Sequence, residues 1–196
     1  MDIATYGIGI FTPVLLASMV HSGAGHSFFS EEWHAVSGAA FVDVFLVLGF
    51  GLNILLVEKL GRMRLQLIGF AGMVFGLCLL ASTSFMGGGA SHNLVWVFSG
   101  FIIFNLLMNM GPNSTTYMLP VELFPTEARA SGHGFGAAAA KTGAAVGTIC
   151  LPVLKSSLGT AAVLFIVAGM AALGFLITVL FRVETKGTSL DEIDAM

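Results

Sequence analysis

The sequence predicts an all-α membrane protein with six transmembrane helices. Three observations carry this. The chain is 56% hydrophobic and 10% charged, against about 25% charged residues in a soluble domain. That leaves too little polar surface to coat a globule in water, so the bilayer is the expected solvent. Six stretches reach the roughly 20 mostly apolar residues that a membrane-crossing helix needs. Finally, the Lys and Arg residues gather on alternate connections between those stretches, as they do when a chain weaves through a membrane. The net charge of −3 and the lack of a dense Lys/Arg cluster exclude a nucleic-acid partner.

The expected spans are 3–19, 36–57, 65–85, 94–118, 131–154 and 160–183, so residues 1–183 form a six-helix bundle and 184–196 a tail. The first span is the shortest, as if its start were missing. MDIATYG has no basic n-region and no cleavage-like site, so it does not read as a signal peptide. Lys59, Arg62 and Arg64 follow span two, Arg129 follows span four, and Arg182 and Lys186 follow span six; the opposite connections hold only Lys155. This asymmetry places both termini in the cytoplasm. The polar connection from His21 to His34, with His26, Glu31 and Glu32, is expected outside as a solvated loop. It has no i, i+4 histidine pair and no Cys partner, so it is not read as a metal site. Cys78 and Cys150 fall in apolar runs and are expected as buried free thiols.

Transporters are often built from repeats in which Gly/Pro-interrupted spans occupy corresponding positions. Splitting the six spans into threes aligns span one, with Gly7, Gly9 and Pro13, with span four, which contains Gly111-Pro112. Span two, with Asp43, aligns with span five, which contains Lys141. Spans three and six have no interior charge and are expected as lipid-facing support. This pattern agrees with an inverted three-plus-three repeat. In span four, Asn105, Asn109, Asn113 and Tyr117 recur every four residues and share one helical stripe. The stripe must face protein or water, either as cavity lining or as hydrogen-bonding glue between helices.

Lys141 lies near the middle of its span, amid GAAAAKTGAAVG. Near a helix end a lysine can snorkel to the interface; mid-span it requires a wet cavity, a carboxylate or an anionic ligand. Gly132/Gly136 and Gly143/Gly147 stand at GxxxG spacing around it, which admits close helix approach. Asp43, well inside span two, and Asp2, at the start of span one with Tyr6 a turn later, are the candidate proton-coupling carboxylates. The alternative for each is structural: a hydrogen-bonded acid at Asp43, an interfacial acid at Asp2, and a Lys–Asp pair at Lys141.

The connections on the predicted cytoplasmic side are EKLGRMR (58–64), PVELFPTEARASGHG (120–134) and RVETKGTSLDEI (182–193). Each places acids near bases, and Glu58, Arg62, Arg64, Glu122, Arg129 and Glu184 are expected to pair or separate as the inner face closes or opens. Exposed pairs contribute only about 0–1 kcal/mol each, enough to bias an equilibrium without locking it. In these motifs the chain resembles the C-terminal half of a major facilitator superfamily transporter of the sugar-porter and phosphate-symporter branch. EKLGRMR resembles that superfamily's acid-GR-basic loop, with Glu58 where Asp is usual. ELFPTEARA resembles its E-x-F-P-x-x-x-R-A stretch, and VETKGTSLDEI its PETKG-x-x-L-E-E tail, with Val183 in place of Pro. DIATYG, NMGPNSTTYMLPVELFPT and GHGFGAAAAKTGA resemble the phosphate:proton symporters more than the hexose porters.

The resemblance implies a proton-coupled secondary transporter that takes up a small anion such as phosphate, with a partner N-terminal six-helix half outside this chain. It implies substrate or proton binding by Asp2 and Tyr6, phosphate contact by Asn113, and a role for Lys141 in the anion and proton cycle. Asn109, on the stripe with Asn113, is a further expected substrate-binding residue. No cofactor is implied. The alternatives are a proton-coupled sugar or organic-acid porter and a non-transporting membrane fragment. A membrane hydrolase lacks its motifs: there is no G-x-S-x-G and no H-E-x-x-H, and His133, after Ser131 and Gly132, has no recognisable partner set.

Overall fold

The computed structural model describes residues 1–9, 12, 28–86, 94–183 and 187. Regular structure among them is helical: α1 Asp2–Gly9, α2 Phe28–Leu60, α3 Arg62–Thr83, α4 Leu94–Met110, α5 Pro112–Leu123, α6 Arg129–Leu158 and α7 Thr160–Leu180. Five stretches are long and apolar enough to cross a membrane: Val36–Leu60, Arg62–Thr83, Leu94–Leu123, Arg129–Leu158 and Thr160–Leu180. They overlap the expected spans two to six, with ends that differ by up to five residues. Of the first expected span, the described part is α1 and Thr12; Pro13, His21, His26 and Glu184 lie outside the described residues. The connection expected as a loop through His34 is helical from Phe28 onward, so α2 extends past its apolar stretch.

The turns have local causes. Gly61 of EKLGRMR sits at φ 91°, ψ 157°, a conformation essentially confined to glycine, and it lets α3 begin directly after α2. Gly159, at φ 83°, does the same between α6 and α7.

The fourth span is one rod broken at Gly111-Pro112. Pro112 has no N–H to return to the preceding turn, and Gly111 takes φ −115°, ψ −102°. The N–H groups of Ser114 and Thr115 both turn to the Gly111 carbonyl, at 3.1 and 3.0 Å. Side chains meet the carbonyls just before the break. Asn53 of α2 donates from Nδ2 to Met110 O at 2.5 Å, and Ser114 Oγ donates to Asn109 O at 3.1 Å. In hydrocarbon an unmet carbonyl is costly, so these donors are what permit a break at this depth.

Helix α3 is the hub, packed on α2, α4, α5 and α7. Met73, Leu77 and Leu80 of α3 bury against Val97, Phe101 and Phe104 of α4 and Leu164 and Val167 of α7. Glycine permits this closeness: a Cβ on Gly76 would stand 2.9 Å from both Gly100 O and Phe104 N. Gln66 Nε2 donates to Thr178 Oγ1 at 3.0 Å, and Thr115 Oγ1 lies 3.0 Å from Gln66 Oε1. Spans three and six therefore hold the centre of this chain together through apolar packing and a neutral polar link, a larger role than peripheral support.

Helix α6 gathers a second group, α1 and α5. Its two glycine pairs divide the work. Gly143 and Gly147 seat α1, where a Cβ on Gly147 would lie 2.7 Å from Ile3 O. Gly132 and Gly136 seat α5, through the Phe124 ring and the Pro120 ring carbon. Lys141 falls between the two seats. Cys78 is half-buried, and both cysteines are free; Cys150 is exposed on α6, contrary to the expectation of burial, because α6 is covered by this chain along one stripe only.

Candidate functional site

Where α1, α5 and α6 come together, four side chains meet. Lys141 Nζ donates to Tyr6 Oη at 2.6 Å and stands 3.7 Å from Asp2 Oδ2. The same ammonium lies over the Tyr6 ring, 4.4 Å from its centroid, and 5.9 Å from that of Tyr117. Tyr117 Oη donates to Asp2 Oδ2 at 3.3 Å. The Asp2 side chain is 3% exposed and that of Lys141 56%. The acid is thus sunk into the bundle while the cation stands at its surface. Ring faces attract a cation through their quadrupoles, so the mid-span ammonium has two aromatic faces, a phenol oxygen and a carboxylate for company.

The arrangement follows from helix register. Asp2 and Tyr6 are one turn apart on α1, and the glycine seat brings that turn against α6 at the level of Lys141. Tyr117 comes from α5, below the broken segment, on the stripe that also carries Asn113. Along that stripe Asn113 Nδ2 donates to Asn109 Oδ1 at 2.6 Å, and Asn109 Nδ2 to Asn105 O at 2.7 Å. Asn105 and Asn109 are buried, Asn109 completely, whereas Asn113 is half-exposed. The deep half of the ladder is therefore buried and bonded along its own span, and its outer half is part-exposed. Asp43 is not brought to this cluster: it is exposed on α2 and has no hydrogen-bond or ion-pair partner among the described residues.

The basic connections form a separate group at one end of the bundle. Arg62 pairs through Nε with Glu122 Oε1 at 2.9 Å and through Nη2 with Glu58 Oε1 at 2.7 Å. The arginine and Glu122 are largely buried, while Glu58 is exposed. One guanidinium thereby ties the ends of α2 and α5 to the start of α3. Arg129 Nε donates to Phe124 O at 3.3 Å, closing the ELFPTEAR turn, and Arg64 is exposed outside the network.

Sequence reasoning placed Tyr117 on the polar stripe without giving it a role, although it touches both charged members of the cluster. It also passed over Asn53 and Gln66. Their signal was present, since each is an amide inside an apolar span, but neither lies in a motif.

The sequence profile described as "Sugar (and other) transporter" matches residues 1–196. The chain belongs to this transporter family. Among curated relatives of this family member, a Schizosaccharomyces pombe protein named as an inorganic phosphate transporter is 34% identical over 196 residues, covering 99% of this chain and 33% of its own length. A Medicago truncatula protein named as a low-affinity inorganic phosphate transporter is 38% identical over 149 residues, covering 74% of this chain and 28% of its own length. The family member described here thus spans about a third of the length of the relatives it matches. The solved structure of the proton:xylose symporter XylE superposes with a TM-score of 0.81 at 21% identity, over 100% of this chain and 40% of XylE. The fold is that of the major facilitator superfamily, whose members are transporters and not enzymes.

Proposed function

We propose that this chain is the second six-helix half, an inverted three-plus-three repeat, of a proton-coupled transporter that takes up a small anion, phosphate, by alternating access. It lies in the cell membrane with both termini in the cytoplasm and pairs with an N-terminal six-helix half. The observation that carries this reading is the exposed mid-span ammonium held 2.6 Å from Tyr6 Oη and 3.7 Å from a buried carboxylate. A half-exposed cation beside two phenols suits an oxyanion, and the names of the curated relatives support phosphate as that anion.

In this reading Tyr6, Asn113 and Lys141 donate to the anion, and Asn109 aims the Asn113 amide. When the anion engages Lys141, the Asp2 carboxylate loses its cation, which favours a proton on it. Anion and proton then bind in support of one another, and the linkage is reciprocal. Asp43 is a second proton site, its exposed carboxylate requiring water or a partner at membrane depth. The Arg62 network opens and closes the cytoplasmic end, with Arg64, Arg129 and Glu184 at its edge.

Proteoliposomes containing this chain with the N-terminal half of the S. pombe relative test the reading. Acid-outside phosphate uptake is expected, falling at least about tenfold in Lys141→Ala, an effect of the size seen for a lost charged contact. Uptake unchanged in Lys141→Ala removes the lysine from the mechanism. Competition by hexoses or carboxylates, with none by phosphate, transfers the assignment to a sugar or organic-acid porter.

A further inference from the structure

His133 lies in the second turn of α6, on the same face as Lys141 and two turns from it, a distance of about 12 Å along the axis. Its ring packs on Tyr117, with centroids 6.2 Å apart and planes at 56°. Its Nδ1 is buried and has no hydrogen-bond partner among the described residues. A buried imidazole nitrogen without a partner is uncommon and calls for an explanation. The same phenol that covers this ring donates to Asp2 Oδ2. His133 lies toward the end of the bundle that carries Arg62, Glu122 and Arg129.

Resting on the transport reading, we propose that His133 is a further proton-binding side chain: it accepts, on the way to the cytoplasm, the proton that Asp2 gives up after the anion has left. In balance, the Asp2 O–H bond breaks as Tyr117 Oη takes that proton. Tyr117, its hydroxyl turning away from Asp2, passes its own phenolic proton through an intervening water to the imidazole nitrogen, which that hydroxyl does not touch in this structure, leaving a carboxylate and an imidazolium. Cytoplasmic water then removes the proton and restores neutral imidazole. Histidine suits this station because one imidazole nitrogen can accept a proton while the other gives one up. The groups around it are consistent with such a path. Tyr117 faces it from α5, with Asp2 and Tyr6 of α1 beyond that ring. On α6 itself, Arg129 is one turn before and Lys141 two turns after; Glu122 lies in the last turn of α5.

The test is a histidine NMR titration of the 196-residue protein in nanodiscs, with the His133 signal assigned by its loss in His133→Gln. Coupling predicts that Asp2→Asn moves the His133 midpoint to lower pH by about half a unit or more, since neighbouring sites titrate as a pair. An unmoved midpoint overturns the proposal. In the paired proteoliposomes, His133→Gln is expected to lose pH-driven phosphate accumulation at least about tenfold. Phosphate-for-phosphate exchange, which needs no proton release, is expected to stay within about twofold. Equal loss of both also overturns it. Failure of the unsubstituted protein to take up or exchange phosphate refutes the transport reading instead, and does so whatever the titration shows.

Discussion

Arg62 shows how one residue's surroundings decide what a charge contributes. Its two carboxylate partners lie at nearly equal distances, 2.7 and 2.9 Å, yet differ in exposure: the Glu58 side chain is 71% exposed and that of Glu122 19%. Solvent screens the first pair, so Glu58→Gln is expected to change stability by less than about 1 kcal/mol. Glu122→Gln removes a charge-assisted bond from a shielded site and is expected to destabilise by about 1.5–3 kcal/mol. Thermal unfolding of the two variants in the same detergent checks the order; equal shifts would mean that the shielding has no energetic consequence. The same contrast governs the cluster at Lys141. Asp2 is buried under Tyr117 while Lys141 reaches outward, so the cation rather than the acid is placed to meet a solute.

At the scale of elements, the site depends on how closely α1 can lie on α6. Gly147 allows the Ile3 carbonyl within van der Waals reach, and a Cβ there would contact backbone, which cannot rotate away. Gly147→Val is therefore expected to push α1 off its seat, carrying Asp2 and Tyr6 from Lys141 and destabilising the bundle by about 1–3 kcal/mol. Gly134→Val, at a glycine with nothing within 4 Å, is the control and is expected to unfold like the unsubstituted protein. If both variants unfold alike, the seat is not what holds the cluster. The broken fourth span obeys similar reasoning. Pro112 frees backbone groups, and Asn53, Ser114 and Gly111 meet them locally, so the break persists and places Asn113 and Tyr117 on its far segment.

Across the whole molecule, the helices fall into a hub around α3 and a second group around α6, linked by the broken α4–α5 rod. The flanks of Lys141 on α6, Ala138 and Thr142, are exposed, as is Phe75 on the outer side of α3. If α6 meets the N-terminal half and α3 meets lipid, spin labels at the two places respond differently to that half. Oxygen collision at Ala138→Cys is expected to drop severalfold on co-reconstitution, and at Phe75→Cys to stay the same, because oxygen concentrates in hydrocarbon and protein contact excludes it. Loss of collision at both positions would place the partner elsewhere.

Much of this was legible in the residues themselves. Apolar runs of bilayer length set the spans, since backbone in hydrocarbon must satisfy itself within a helix. The Gly111-Pro112 break, the acidic and basic connections and the isolated lysine could all be read because each violates the apolar rule locally. Pairing across helices was not legible. Asp43 and Lys141 were matched by their positions in the repeat, but the lysine's carboxylate is Asp2, because the Gly143/Gly147 seat brings α1 and not α2 against α6. Likewise the asparagine stripe is continuous in sequence, and only packing buries Asn109 while leaving Asn113 half-open. Composition and periodicity determine which segments enter the membrane, because transfer into lipid is a property of each segment alone. Which side chains meet inside it is decided by helix approach and rotation, and those depend on contacts between residues far apart in the chain.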